Sequence, residues 1–449
     1  MKSMNRFRRL LSGPYTILTA GMLCCVWLFP GCGGGNDSAS SNTGGIIGSN
    51  TGPTLTRTEY AYVVNEDDNT VAQFKINVDG TLSALTPASV PVTANAAQAL
   101  VTPNGQFAYV MAQDPATGAA VVSQFKIGAD GALSALTPAT ISLGTLLNET
   151  SSLLSASSPL RLPLHITMDS QGRFLYAPTT SQILAFPIGG TGTLGASVVI
   201  AALSTPIQAF VMDPKGRFAY VGNQTQSGGV SIAPFTINVD GTFTRIAGQD
   251  VTVAGVTALK ELTLDSAGRF LYAAGISPGS GQAGNNPSLT QFRVNTEGTL
   301  TLVKTVVADL SGITLATLDP IQFTQSFAEI VFQPTFNAAG QVAYLPTGTP
   351  RVLEESVGAD GSLTPLGPGS VLAGAAAGNI NIEPSGLFAY VANQDTSVSQ
   401  FRINTDGTLQ SLTPPAVNTG HRPVSIATTA VTTLVSKSSA GLGHTHPAR

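Results

Sequence analysis

Few side chains in this sequence can move a proton or hold an ion. Four histidines, 25 acidic and 21 basic residues are spread over 449 positions. Aligning a repeated unit by its turns brings Gln98, His165, Ala209, Glu261, Glu329, Asn379 and Ser425 to the first position of seven equivalent strands. Such strands converge on one axis, so these side chains are expected to approach a common channel. His165, Glu261 and Glu329 are the members that can exchange protons. A hydrolase needs a base to activate water and a donor or cation to hold the developing oxyanion. The expected catalytic set is therefore His165 with Glu261 and Glu329. The expected binding set is Gln98, Asn379 and Ser425, with Arg161 and Arg422 as cationic candidates. Two facing carboxylates would instead suit a structural or channel Ca²⁺; no other cofactor and no dedicated metal site is expected. The competing reading is a polar, water-filled channel lined by the same residues without chemistry.

Other motif matches carry less. Gly275-Ile276-Ser277-Pro278-Gly279 fits G-x-S-x-G but follows a strand inside a Gly/Ser/Asn loop, not a strand-to-helix elbow. Two G-x-G-x-x-G matches, at 190–195 and 279–284, precede no helix whose N-terminus would hold a pyrophosphate. Glu66-Asp67-Asp68 is the one acidic run and reads as a solvated loop or a cation site. His444-Thr445-His446 lies in a short polar tail. The single Trp, Trp27, lies far from these candidates in sequence, which argues against a cofactor site packed around tryptophan.

The elements that would position the ring are legible as repeats. An aromatic-small-Tyr strand recurs at 60–65, 107–112, 174–179, 218–223, 270–275, 342–347 and 388–393, from YAYVVN to FAYVAN. Each is followed by a second alternating strand and a turn of Asp-Gly type, as in VAQFKINVDGTL and VSQFRINTDGTL. Glycine tolerates the positive φ that tight hairpins demand. Upstream of six of the Tyr strands lies an apolar strand and turn, as in HITMDSQGR. One unit is thus four strands, A to D, at a period that signals a propeller blade. The first unit lacks its A strand, and a spare one, Pro423-Val424-Ser425-Ile426-Ala427-Thr428, follows the last. The expected fold is all-β: a seven-bladed propeller over 57–435, closed by pairing of the C-terminal strand with the first blade, so that no edge stays open. Residues 139–163 and 313–329 are long D–A connections of unassigned role. Glu355 stands where Phe74, Phe125, Phe235 and Phe401 sit, so the sixth blade is expected to be distorted or slipped in register.

Composition agrees. Charged residues are 10% of the chain, and 48 Gly and 28 Pro favour turns, which leaves little to line helix surfaces. Basic residues do not cluster beyond the leader, so nucleic-acid binding has no support. Lys2, Arg6, Arg8 and Arg9 precede an apolar stretch from Ile17 to Phe29 that ends at Pro30-Gly31-Cys32. This has the form of an export signal over 1–31 with lipidation of Cys32. Residues 32–56 form a Gly/Ser/Asn-rich linker, in which the tract from Gly33 to Pro53 has a reach of about 25 Å, and 436–449 a polar tail. All three cysteines precede residue 33, so the body is expected to hold without disulfides. The expected location is the bacterial cell envelope, with lipid anchorage in the outer membrane on its periplasmic or surface face. The expected state is a monomer whose partner is an envelope protein or a small molecule.

The YVVN and YVAN strands, the Asp-Gly hairpins and the D-x-x-G turns together resemble the YVTN-repeat and lactonase-type (6-phosphogluconolactonase-like) seven-bladed propellers. The resemblance covers nearly all of the chain after the linker. It implies a ligand site on the face formed by the D–A and B–C loops. It also implies Arg and His from a Pro-Arg-His stretch together with a Glu. Pro163-Leu164-His165 keeps the histidine and has Leu164 in place of the arginine; Arg161 lies two residues before Pro163, and His421-Arg422-Pro423 holds similar residues in another order. The expectation is a cell-envelope lipoprotein that presents this propeller as a ligand- or protein-binding module, with enzymatic activity left open. The alternative is a lactone (ester) hydrolase of carboxylic-ester type, using His165 with Glu261 and Glu329 at the channel mouth.

Overall fold

The computed structural model describes residues 54–144, 165–278, 285–307 and 334–435. The leader, Cys32, the linker up to residue 53, Arg161, Glu329 and the tail lie outside these residues, as do most of the two long D–A connections. Among the described residues every regular element is a strand, and the strands form seven sheets. Blade 1 is built from Pro423–Val435, Thr54–Asn65, Thr70–Ile76 and Leu82–Pro91, in that spatial order. Blades 2 to 7 follow in chain order at 96–144, 167–202, 207–252, 258–307, 335–372 and 379–418. Each runs A-B-C-D in antiparallel meanders; blade 3 is one of these, and in blade 4 a short extra strand, Val251–Thr252, pairs with the C strand.

The closure expected from the strand count is present. Val63 pairs with Ile426, and the two strands stay in register out to Thr54 opposite Val435. At the ring's mouth the same junction is held by charge. Arg422 Nη1 lies 3.2 Å from Glu66 Oε2, and the His421 amide donates to Asp68 Oδ2 at 2.6 Å. The acidic run read as a solvated loop or cation site is thus engaged by the residues that precede the closing strand.

Two devices explain why the Tyr strand and the Asp-Gly turn recur together. In all seven blades the Tyr hydroxyl donates to the carbonyl of the hairpin glycine in the next blade. Tyr62 reaches Gly131 at 2.7 Å, Tyr109 Gly192 at 2.6 Å, Tyr176 Gly241 at 3.2 Å and Tyr220 Gly298 at 3.0 Å. Tyr272 reaches Gly361 at 2.9 Å, Tyr344 Gly407 at 2.6 Å, and Tyr390 returns to Gly80 of blade 1 at 2.7 Å. These tyrosines are fully buried, where an unpaired hydroxyl would be costly. The glycine is required twice over. Gly131 has φ +80°, and a Cβ there would stand 2.2 Å from the Tyr60 ring of the preceding blade. The turn and the aromatic strand are therefore two halves of one inter-blade contact.

The D-x-x-G-R turns work in the same way. Asp169 Oδ2 accepts from Arg173 Nε at 2.7 Å, and Arg173 Nη1 donates to the Val239 carbonyl of the next blade, also at 2.7 Å. Apolar packing likewise lies between blades: Val63, Phe74 and Ile426 of blade 1 meet Phe388, Tyr390 and Val398 of blade 7. Each such side chain stabilises the ring by roughly 1.5–3 kcal/mol.

Blade 6 departs from expectation. Ala343 pairs with Glu355, just as Ala61 pairs with Phe74 and Ala389 with Phe401, so the register does not slip. Glu355 is only half-buried, and burial pushes its carboxyl above the usual range.

Candidate functional site

The A strands lie at one edge of each blade, and those of blades 1 and 2, 4 and 5, 6 and 7, and 7 and 1 touch. Gln98 pairs with Met111, Ala209 with Gly222, Glu261 with Ala274, Asn379 with Ala392 and Ser425 with Val64. Every partner is the fifth residue of its Tyr strand, so these five positions are equivalent in their blades, as the turn alignment predicts.

Equivalence of position does not give equivalence of role. Gln98 Oε1 accepts from the Ile166 amide at 2.9 Å, and its Nε2 donates to the Ile166 carbonyl at 3.1 Å. Ser425 Oγ accepts from the Ala99 amide at 3.2 Å, and Asn379 Oδ1 from the Ile426 amide at 3.1 Å. Three of the expected binding side chains thus stitch one inner strand to the next. Sequence alternation missed a fourth stitch. A bulge between Ile207 and Ala209 turns Gln208 out of the alternation, and its Oε1 accepts from the Leu259 amide at 2.9 Å.

His165 and Glu261 come together. His165 Nε2 lies 3.3 Å from Glu261 Oε2, with the side chains 30% and 9% exposed. They belong to blades 3 and 5, and the blade between them presents Ala209 at the same level, whose methyl leaves the gap they bridge. A carboxylate against imidazole fixes the ring's orientation and favours a hydrogen on the facing nitrogen. Such a pair is suited to accept a proton, or to recognise a ligand that offers both donors and acceptors. Arg422 does not join it, being held at Glu66 with Asp67 3.9 Å away. Arg161 and Glu329 lie outside the described residues, and with Glu329 goes the second carboxylate of the expected Ca²⁺ site. Among the described residues no group of three or more His, Cys, Asp or Glu is placed to hold a metal ion. Ser277 of the G-x-S-x-G match sits in the B strand of blade 5, Phe270–Pro278, with its side chain buried and no elbow beneath it.

With this geometry in hand, the solved structures most informative for the chain are lactonase-like. A putative 6-phosphogluconolactonase from Bacteroides uniformis superposes with a TM-score of 0.61 at 18% identity, covering 83% of this chain and 99% of that one. A periplasmic gluconolactonase from Pseudomonas aeruginosa gives 0.56 at 14% identity, covering 84% and 100%. A functionally unknown protein from Desulfotomaculum acetoxidans gives 0.53 at 12%, covering 82% and 98%. The chain has the fold of these propellers. No family model and no curated protein matches it. At such identities the likeness is one of architecture, since one propeller scaffold serves many chemistries.

Proposed function

We propose that this chain is a cell-envelope lipoprotein, anchored through Cys32, whose propeller binds a small polar ligand or a protein partner at the channel mouth beside His165 and Glu261. One observation carries the choice of binding over catalysis. Besides His165 and Glu261, the described ring offers no further proton-exchanging side chain, and the expected binding side chains Gln98, Asn379 and Ser425 use Gln98 Oε1 and Nε2, Asn379 Oδ1 and Ser425 Oγ to hold backbone groups of neighbouring blades. The His165 imidazole is 30% exposed and steadied by Glu261, so it is open to a ligand. The leader and the Pro30-Gly31-Cys32 junction support the envelope address.

The second reading, hydrolysis of a lactone with His165 as base, is favoured by the 3.3 Å His165–Glu261 contact and by the fold shared with the two lactonase-named structures. A panel of sugar lactones, followed by calorimetry and by pH-stat titration, separates the two. Heat of binding without ring opening above the buffer rate, weakened about tenfold or more in His165→Ala, supports the binding module. Turnover that falls by about 10²–10⁴ in His165→Ala selects the hydrolase. Wild-type protein that neither binds nor opens any lactone removes sugar lactones as ligands and leaves a protein partner. Unchanged behaviour in the variant removes the channel mouth as the site.

A further inference from the structure

Exposed large apolar side chains are not spread evenly over the described residues. Val198, Val199, Leu302 and Leu372 lie on D strands, at the outer edges of blades 3, 5 and 6. The other five, Leu55, Val78, Val239, Leu387 and Leu434, all lie at the end of the blades where the A–B and C–D turns are. Val78 is 99% exposed in the C–D turn of blade 1, and Leu387 55% exposed in the A–B turn of blade 7. These two turns meet, since a Cβ on Gly80 would stand 2.1 Å from the Phe388 ring. Leu55 and Leu434 face each other across the first B strand and the closing strand, 66% and 70% exposed. Residues 54–58 and 431–435 are rich in Thr and Val, which suit a strand. They stay paired for five residues after the C strand has ended at Ile76 opposite Glu59. At about 3.3 Å per residue this two-stranded ribbon runs on for roughly 16 Å. The neighbouring C–D turn reverses at once, the Gly80 amide donating to the Asn77 carbonyl at 2.9 Å. The leucine pair is thus carried at the end of a projecting ribbon.

We propose that this end of blades 7 and 1 is seated on a phospholipid surface, with Leu55, Leu434, Val78 and Leu387 entering the boundary between headgroups and acyl chains. The inference rests on the lipoprotein reading, and the chain ahead of the ribbon is what names the occupant. Thr54 follows Cys32 by 22 residues, and the tract between them has a reach of about 25 Å. A bilayer holding an acylated Cys32 is therefore within reach of the ribbon. A flexible tether of this kind sets an effective concentration on the order of millimolar. A few apolar side chains then suffice, though they would not hold a free protein on a membrane. Arg57 shares a face of the ribbon with Leu55, because alternate residues of a strand point the same way. It is 49% exposed beside Glu59 at 2.9 Å, and a long basic side chain next to leucines suits a headgroup layer. Asp79, in the same turn as Val78, is engaged locally: its Oδ1 accepts from the Thr81 amide at 3.0 Å and the Thr81 hydroxyl at 2.6 Å.

The test uses the full chain, made in a bacterial host that acylates lipoproteins and reconstituted into phosphatidylethanolamine–phosphatidylglycerol vesicles with brominated acyl chains. Processing at Cys32 removes Trp27, the chain's single tryptophan, so an introduced one reports alone. Leu55→Trp and Val78→Trp are each expected to lose roughly half of their emission, as for a ring held at the headgroup–acyl boundary. Leu372→Trp, at an exposed site on the D strand of blade 6, is expected to keep its emission. Should Leu55→Trp fail to fold, Val78→Trp decides alone. A chain that is acylated and floats with the vesicles, yet leaves either probe no more quenched than the one at 372, overturns the docking and spares the anchor. Elution at twice the chain's mass with unquenched probes assigns the leucines to a second copy and overturns it too. A chain without an acyl group at Cys32 that stays in solution overturns the anchor and the docking together.

Discussion

Glu354 shows how much one atom matters in this ring. The equivalent residues Gln73, Gln124 and Gln400 each do two things. Their Oε1 accepts an amide from the next blade, at Leu133, Leu194 and Leu82 with distances of 2.6, 2.7 and 2.7 Å. Their Nε2 donates to a carbonyl of their own D strand, at Pro87, Pro138 and Pro414, each at 3.0 Å. Glu354 accepts the Leu409 amide of blade 7, but as a carboxylate it has no hydrogen to donate. It is 1% exposed, and burial pushes its carboxyl above the usual range. Its raised value means that stability falls as pH climbs past the ordinary carboxylate range. Glu354→Gln is therefore expected to raise Tm by about 1–3 °C at neutral pH, with the gain shrinking toward pH 4, as read by thermal unfolding at both pH values. At this scale the sequence was partly legible. The turn alignment brought His165 and Glu261 to one level. It could not tell that Gln98, Asn379 and Ser425 would be used by backbone amides, because that depends on the distance between blades, which no single repeat encodes.

At the scale of the element, the hairpin is a joint between blades more than a reversal within one. Gly131 and Gly118 both have positive φ, at +80° and +69°, yet a Cβ on Gly118 meets nothing within 4 Å, whereas on Gly131 it enters the Tyr60 ring. Gly118→Ala is expected to cost only the backbone strain, about 1–2 kcal/mol. Gly131→Ala adds a displaced aromatic and a strained Tyr62 bond, for a loss of about 3–5 kcal/mol. Chemical denaturation of the two variants side by side checks the difference, and equal losses would refute the joint. The recurrence of Asp-Gly turns with Tyr strands was plain in the sequence, and so was the number of blades. The bulge at Gln208 was not, because one extra residue breaks the alternation from which facing is read. Blade 6 shows the reverse error: Glu355 looked like a register fault, but a half-buried side chain can reach solvent while the pairing stays intact.

The whole molecule depends on its last described strand. Pro423–Val435 supplies the inner strand of blade 1, and Arg422 and His421 fasten its start to Glu66 and Asp68. A chain ending at Arg422 leaves the inner edge of Thr54–Asn65 open and unpaired. It is expected to lose cooperative unfolding at the wild-type Tm and to self-associate on size-exclusion chromatography. A synthetic peptide of residues 423–435 added in excess is expected to restore the monomer. A truncated chain that stays monomeric and melts like wild type would show that the ring holds without its clasp. This closure was readable from the missing first A strand and the surplus last one, since strand counting needs only local pattern.

Pairing of Thr54 with Val435 also fixes where the body can be attached to anything else. These two residues lie one strand spacing apart, so reporters joined before Thr54 and after Val435 would start side by side. The mouth carrying His165 and Glu261 lies toward the other end of those paired strands, where Val64 meets Ser425, and stays clear of both attachments.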